Sequence, residues 1–254
     1  MLSRPIAADS HGLNARTGRV ALELGGRIAG GGLVISVIDG EPARSPESRN
    51  ITPVASAMSE EERIGRFGHD GAVVWLTGLS GSGKSTLARA LERRLFHRGG
   101  LATLLDGDTL RAGLNSDLGF SPADRAENNR RLAEVANFLK NLGHVVLVAA
   151  VSPSAAARAR VREIIGPRFF EIHVSAPLAL CEARDPKGLY AKARAGEIRG
   201  FTGIDAPYDV PEAPELVIET DKLDATAAVD RIEAMLAETG VFRRHVAAAD
   251  DAGL

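Results

Sequence analysis

The amino-acid sequence predicts an α/β fold in three layers, with a central, mostly parallel sheet and helices on both of its faces. Three observations carry that expectation. Several strand-length runs are continuously apolar rather than alternating, as in strands buried on both faces. Segments of helical period separate those runs. The first run leads straight into the glycine-rich stretch GLSGSGKST, residues 78–86, which opens a helix.

From the N-terminus, residues 18–38 hold two short β-prone runs around a glycine-rich connection, which suggests a hairpin or part of a small barrel. Residues 39–70 bring Pro, Ser and charge without long periodicity, and read as linker with one short helix near 59–67. Residues 1–70 are therefore expected to be an N-terminal extension, and the domain proper to occupy 71–242. Within it, strands are expected at 72–77, 101–105, 144–150, 169–174 and 215–219. Helices are expected between and after them at 84–98, 122–141, 154–165, 177–183 and 224–239. Residues 185–211 break this rhythm with Gly, Pro, basic and aromatic residues, and so long an interruption reads as a functional lid. Residues 243–254 are expected to form a flexible tail.

Composition narrows the function classes. Lys and Arg total 31 against 33 Asp and Glu, so the chain lacks the basic excess of a nucleic-acid binder. The single cysteine, Cys181, excludes an internal disulfide framework and fits a reducing cytoplasm. The start, MLSRPIAADSHG, has no apolar signal core, and no run approaches the roughly 20 apolar residues of a membrane span. A soluble, cytoplasmic protein without nucleic-acid or membrane partners is expected.

Gly78, Gly83, Lys84 and Ser85 fill the pattern G-x-x-x-x-G-K-[ST] between a strand and a helix, which makes the fold a P-loop nucleoside triphosphate hydrolase/kinase fold. The glycines let successive backbone N–H groups of Gly78, Leu79, Ser80, Gly81, Ser82, Gly83, Lys84, Ser85 and Thr86 turn toward phosphates, with the positive end of the helix behind them. Lys84 can reach the β and γ phosphates of a nucleoside triphosphate, and the Ser85 hydroxyl can ligate Mg²⁺. Such loops serve GTPases, motors and small-molecule kinases alike. A guanine-reading N/T-K-x-D is missing, the nearest string being DKLD at 221–224, and the third strand ends without the carboxylate of a hydrolytic motor.

Carboxylates instead follow the second strand, in LLDGDTLR, where ligands of doubly wound sheets bind. One of Asp106 and Asp108 can hold Mg²⁺, through water, and the other can face an attacking hydroxyl; a turn with a helix cap is the plainer alternative. Beyond them lie Arg111, Phe120, Arg125 and Asn128. Arginine forks bind anions and an aromatic ring offers a platform for a base, so an anionic, base-containing acceptor would use both.

The strings WLTGLSGSGKSTLA, LLDGDTLRAGLNSDLGFSPADRAENNRR, VSPS and CEARDPKGLYAKARAGEIRGFTGIDAPYDVPEAPEL, spread over residues 75–220, closely resemble the adenylylsulfate (APS) kinase family. The resemblance implies transfer of the ATP γ-phosphoryl group to the ribose 3'-hydroxyl of adenosine 5'-phosphosulfate, giving 3'-phosphoadenosine 5'-phosphosulfate (PAPS) and ADP. It places Asp108 near the acceptor hydroxyl, and Arg111, Arg125 and Asn128 on the phosphosulfate. It sets Phe120 and Phe201 around the acceptor adenine, Val151, Ser152, Lys187 and Thr202 beside APS, and Arg184 with ATP. Ser152 matches a serine proposed in the family as a phosphoserine intermediate; in-line transfer needs no covalent relay, so a contact to APS is the expectation here. The family commonly carries Tyr or His, then Arg, where this chain has Ser154 and Ala155, which predicts modestly altered APS affinity. It also implies a homodimer. Residues 12–34 resemble the closing strands of the GTPase subunit of bacterial ATP sulfurylase, implying association with that enzyme. A noncatalytic nucleotide-binding scaffold and a kinase for another nucleotide-like acceptor are the alternatives.

Overall fold

The computed structural model describes residues 19–24, 27–33, 52, 54 and 56–242. The chain divides into two compact units, 1–55 and 56–254. In the first, β1 (Arg19–Leu24) pairs antiparallel with β2 (Arg27–Leu33), with a register shift between Leu22 and Glu23. This is the hairpin expected from residues 18–38. The tail expected at 243–254 lies outside the described residues.

The second unit opens with α1 (Glu60–Phe67), whose first turn is closed by a capping box between Ser59 and Glu62. Although the surrounding residues read as linker, α1 is fastened to the body. Arg63 Nη1 donates to the Leu142 carbonyl at 3.1 Å, and Glu60 pairs with Arg168 at 2.6 Å. The body follows as β3 (Ala72–Thr77), α2 (Lys84–His97), β4 (Ala102–Asp106), α3 (Gly107–Arg111), α4 (Pro122–Asn141), β5 (Val145–Ala149) and α5 (Ala155–Ile165). It continues as β6 (Phe169–Ser175), α6 (Leu178–Arg184), α7 (Leu189–Arg194), β7 (Leu216–Glu219) and α8 (Ala225–Glu238).

The five strands β3–β7 form one parallel sheet in the order β4-β5-β3-β6-β7. Pleating sends alternate residues of each strand to opposite faces. Ala72, Val74 and Leu76 pack with Leu87, Leu91 and Leu95 of α2 and Val229 and Ile232 of α8. Val73 and Trp75 pack on the other side with Leu132 and Ala136 of α4 and Val161 and Ile165 of α5. Two apolar cores explain why these strands read as unbroken apolar runs. Each expected strand and helix of the body is present, within a residue or two at its ends. Two short helices, α3 and α7, appear where the sequence suggested only a turn and a lid. Among the described residues no helix is long and apolar enough to cross a membrane.

Strand order reverses direction at β3, because its neighbours β5 and β6 follow it in the chain on opposite sides. The carboxyl end of β3 therefore opens into a crevice, the place where doubly wound sheets hold ligands.

Candidate active site

The residues following β3 curl into that crevice with little room to spare. Gly78 has φ 151°, and a Cβ there would fall 2.4 Å from the Val174 carbonyl oxygen; at Gly81, φ 75°, it would fall 2.7 Å from that of Cys181. Only glycine fits either position. Lys84 begins α2, is buried, and donates from Nζ to the Leu79 carbonyl at 2.6 Å, folded back along its own loop. Burial is the main cause lowering its pKa from 10.5 to about 8. Among the described residues no carboxylate pairs directly with this desolvated ammonium, a setting that suits a polyphosphate.

Ser85 Oγ donates to Asp106 Oδ2 at 2.7 Å, joining α2 to the end of β4. Asp106 Oδ1 accepts from the Asp108 backbone N–H at 3.0 Å and so caps α3. One carboxylate thus meets the Ser85 hydroxyl and caps α3. Asp108, carried by α3, forms an ion pair with Lys187 from the lid. Arg184 closes the loop's far side, donating to the Gly81 carbonyl at 3.3 Å and to Thr220 Oγ1 at 3.0 Å.

On the opposite wall, the Arg111 guanidinium lies 4.5 Å from the centre of the Phe120 ring and that of Arg125 lies 5.6 Å from it. Desolvation, more than any neighbouring charge, lowers the pKa of both, and Arg111 adds repulsion at Arg125. Two partly desolvated cations beside one ring suit an anion. Arg125 Nη2 also donates to the Gly200 carbonyl at 2.8 Å, tying α4 to the lid segment before Phe201. Asn128 is buried and accepts from Asn115 Nδ2 at 3.1 Å.

Phe201 is set by two neighbours. Asp205 accepts from the N–H groups of Gly200 at 2.7 Å and Phe201 at 2.6 Å. Tyr190 meets the Phe201 ring edge-on, 4.9 Å between centres at 79°, while its hydroxyl donates to the Ser80 carbonyl at 3.0 Å. Thr202 is buried, and its hydroxyl has no partner among the described residues.

Ser152 follows β5 with φ 45°, unusual for a residue with a side chain. Its carbonyl accepts from Arg158 Nη1 at 2.8 Å, and Arg158 in turn pairs with Glu171 at 2.6 Å in the interior. The hydroxyl is buried, accepts from Trp75 Nε1 at 3.0 Å and donates to Asn129 Oδ1 at 3.3 Å.

These walls enclose a cavity of about 830 Å³. Among the expected site residues, Ser80, Gly81, Gly83, Lys84, Ser85, Thr86, Asp106, Asp108, Arg111, Phe120, Arg125, Asn128, Val151, Ser152, Arg184, Lys187, Phe201 and Thr202 all line it. Gly78, Leu79 and Ser82 do not line it, and shape the loop from behind. The sequence offered no signal for Asn115, Asn129 or Tyr190, whose contribution is burial or a contact across the fold, nor for Asp205, which acts through a local turn onto Gly200 and Phe201. Ser154 and Ala155 are not among the lining residues. Ser154 caps α5, and the Ala155 N–H donates to Asp209 Oδ2 at 2.9 Å.

Fold and site together define a phosphoryl-transfer enzyme, with the glycine-rich loop and Lys84 on one wall of the cavity and Arg111, Phe120 and Arg125 on the other. The family model for adenylylsulphate kinase matches residues 70–219. The chain belongs to the adenylylsulphate kinase family. It is 55% identical over 196 residues to an adenylyl-sulfate kinase of Citrobacter koseri, covering 76% of this chain and 96% of that one. An adenylyl-sulfate kinase of Geotalea daltonii is 50% identical, again with 76% and 96% covered. Among solved structures, the Mycobacterium tuberculosis APS kinase CysC in complex with AMPPNP and APS shares 52% identity at a TM-score of 0.65, covering 66% of this chain and 99% of that chain.

Proposed function

We propose a division of labour within this cavity of the enzyme, which transfers the γ-phosphoryl group of ATP to the 3'-hydroxyl of APS, yielding PAPS and ADP. The observation supporting the division is that one cavity joins Lys84 and Ser85 to Arg111, Phe120, Arg125 and Phe201. ATP takes the phosphate-loop wall, with Arg184 at its edge. APS takes the arginine wall, its adenine between Phe120 and Phe201 and its phosphosulfate on Arg111, Arg125 and Asn128. Asp108 lies between the two walls, where it accepts the proton of the attacking hydroxyl as the new P–O bond forms. Lys84 and Lys187 hold the charge that develops on the transferring group.

Ser85 Oγ and Asp106 Oδ2, 2.7 Å apart, are hard oxygen donors of the kind Mg²⁺ takes alongside phosphate oxygens and water. When bound, the ion neutralises charge on the β and γ phosphates. ADP release measured with ATP, Mg²⁺ and APS tests the reaction directly; folded protein that releases no ADP on addition of APS contradicts it.

Phe201→Ala is expected to raise the KM for APS by about 10- to 100-fold, the worth of one base stack, with the KM for ATP little changed. Ser152→Ala separates two roles for that serine. A phosphoserine carrier would lose turnover altogether. A buried hydroxyl between Trp75 and Asn129 instead predicts turnover within about tenfold of wild type and a stability loss of about 1–3 kcal/mol, read by denaturant titration.

We place the kinase domain at 56–242. Light scattering of the full chain, beside a chain beginning at Ser56, tests both the homodimer that the family resemblance implies and the part residues 1–55 take in it. Adding ATP sulfurylase to both samples tests the association inferred for the N-terminal segment.

A further inference from the structure

Asn129 lies on α4 next to Asn128, lines the cavity, and is 3% exposed. Its orientation follows from the hydrogen bonds that reach it. Trp75 Nε1 lies 3.0 Å from Ser152 Oγ, and an indole N–H can only donate. The Ser152 hydroxyl accepts there and directs its own proton onward to Asn129, 3.3 Å away. Asn129 must meet that proton with Oδ1, so Nδ2 faces elsewhere with two N–H donors. Asn129 Nδ2 is buried and has no hydrogen-bond partner among the described residues. Folded proteins seldom leave such a donor unmatched, and the residue that carries it lines the cavity.

The ligand group that answers this donor is an acceptor oxygen. Charge nearby narrows it further, because Arg125, one turn earlier on α4, lines the same cavity. We propose that Asn129 is an APS-binding residue whose Nδ2 donates to an oxygen of the phosphosulfate, with Trp75 and Ser152 as positioning residues that hold the amide the right way round. The proposal rests on the assignment of the arginine wall to APS. It adds a neutral donor to the two charged ones, and extends the recognition surface from the N-terminal turns of α4 to the end of β5.

Steady-state kinetics with APS and ATP varied separately test it. Asn129→Leu keeps the side-chain volume and removes the donor; Asn129→Asp keeps an acceptor for Ser152 and turns a carboxylate on the substrate anion. The expected KM for APS rises about tenfold in the first and about 100-fold in the second, with kcat and the KM for ATP within about twofold of wild type. Ser152→Ala, which frees the amide to rotate, is expected to raise the KM for APS by a smaller factor, about threefold, again without moving that for ATP. A purely structural amide would change melting temperature and leave the KM for APS alone. Phe201→Ala runs alongside as the reference for the pocket. If it raises the KM for APS while folded Asn129→Leu and Asn129→Asp do not, the Asn129 proposal is overturned. If Phe201→Ala leaves the value unchanged as well, the assignment of that wall to APS fails instead. Should Asn129→Leu not fold, calorimetric titration of APS into folded Asn129→Asp decides: weakened binding supports the proposal and wild-type affinity overturns it.

Discussion

Lys84→Met is expected to abolish turnover and, at neutral pH, to make the ligand-free protein more stable. The two effects have one cause. The ammonium is buried beside its own loop and, among the described residues, hydrogen-bonds to the Leu79 carbonyl alone, at 2.6 Å. Burial, the largest influence, lowers its pKa from 10.5 to about 8. Between those values the unfolded chain holds a proton that the folded chain has released, so wild-type stability rises with pH across that window. Below pH 8 the folded protein carries the whole cost of the desolvated charge, on the order of 3 kcal/mol by linkage. Methionine has the length of the lysine stem and no charge, so most of that cost disappears. A gain of about 1–3 kcal/mol remains after the lost hydrogen bond, a rise of several degrees in melting temperature. Turnover falls by at least about 100-fold, because the charge that opposes the phosphates in the transition state has gone. Calorimetric melting between pH 7 and 10, with ADP-release kinetics, checks both. A variant that is less stable at pH 7, or that still turns over at the wild-type rate, contradicts the role given to Lys84.

The second large effect is expected at Asp108. Asp108→Asn preserves shape and a hydrogen-bonding oxygen but cannot accept the proton of the acceptor hydroxyl. Because α3 is capped by Asp106 rather than Asp108, the change leaves the local fold intact. The expected loss in kcat is about 10²- to 10⁴-fold, the usual worth of a positioned base. The KM for ATP should hardly move, since the phosphate loop is untouched. Lys187 loses its ion-pair partner in the same variant. Adding Lys187→Met to Asp108→Asn should therefore cost less than the sum of the two single changes, as expected for partners that act together. Additive losses in rapid-quench measurements would mean the pair does not work as a unit.

Much of the fold and of the phosphate loop is legible in the order of the amino acids, and for a physical reason. Strands buried on both faces must be apolar throughout, so β3 and β5 stand out as AVVWLT and VVLVA. A phosphate loop needs glycine at fixed spacings, and steric exclusion at Gly78 and Gly81 explains why. Features too short or too distant in the chain leave no periodic trace. Helices α3 and α7 span five and six residues, less than two turns, and are held at their N-terminal ends by Asp106 and Asp185; α7 buries Tyr190 and Ala193, too few positions to show a period. Asp106 illustrates the difficulty well. The sequence presents metal-site carboxylate and helix cap as rival readings, whereas its two oxygens serve Ser85 and the Asp108 N–H separately. Asn129 reads as one more polar residue on a long helix; only the packing of α4 on Trp75 and Ser152 makes it part of the cavity wall.

Tyr190 has a consequence of another kind. Its hydroxyl holds the carbonyl of Ser80 and its ring supports Phe201, so one stiff phenol touches both walls of the cavity. Thermodynamic reciprocity then applies to the two nucleotides: any factor by which one changes the affinity for the other is returned in equal measure. If that phenol couples the two sites, an inhibitor of either pocket gains or loses potency with the occupancy of the other.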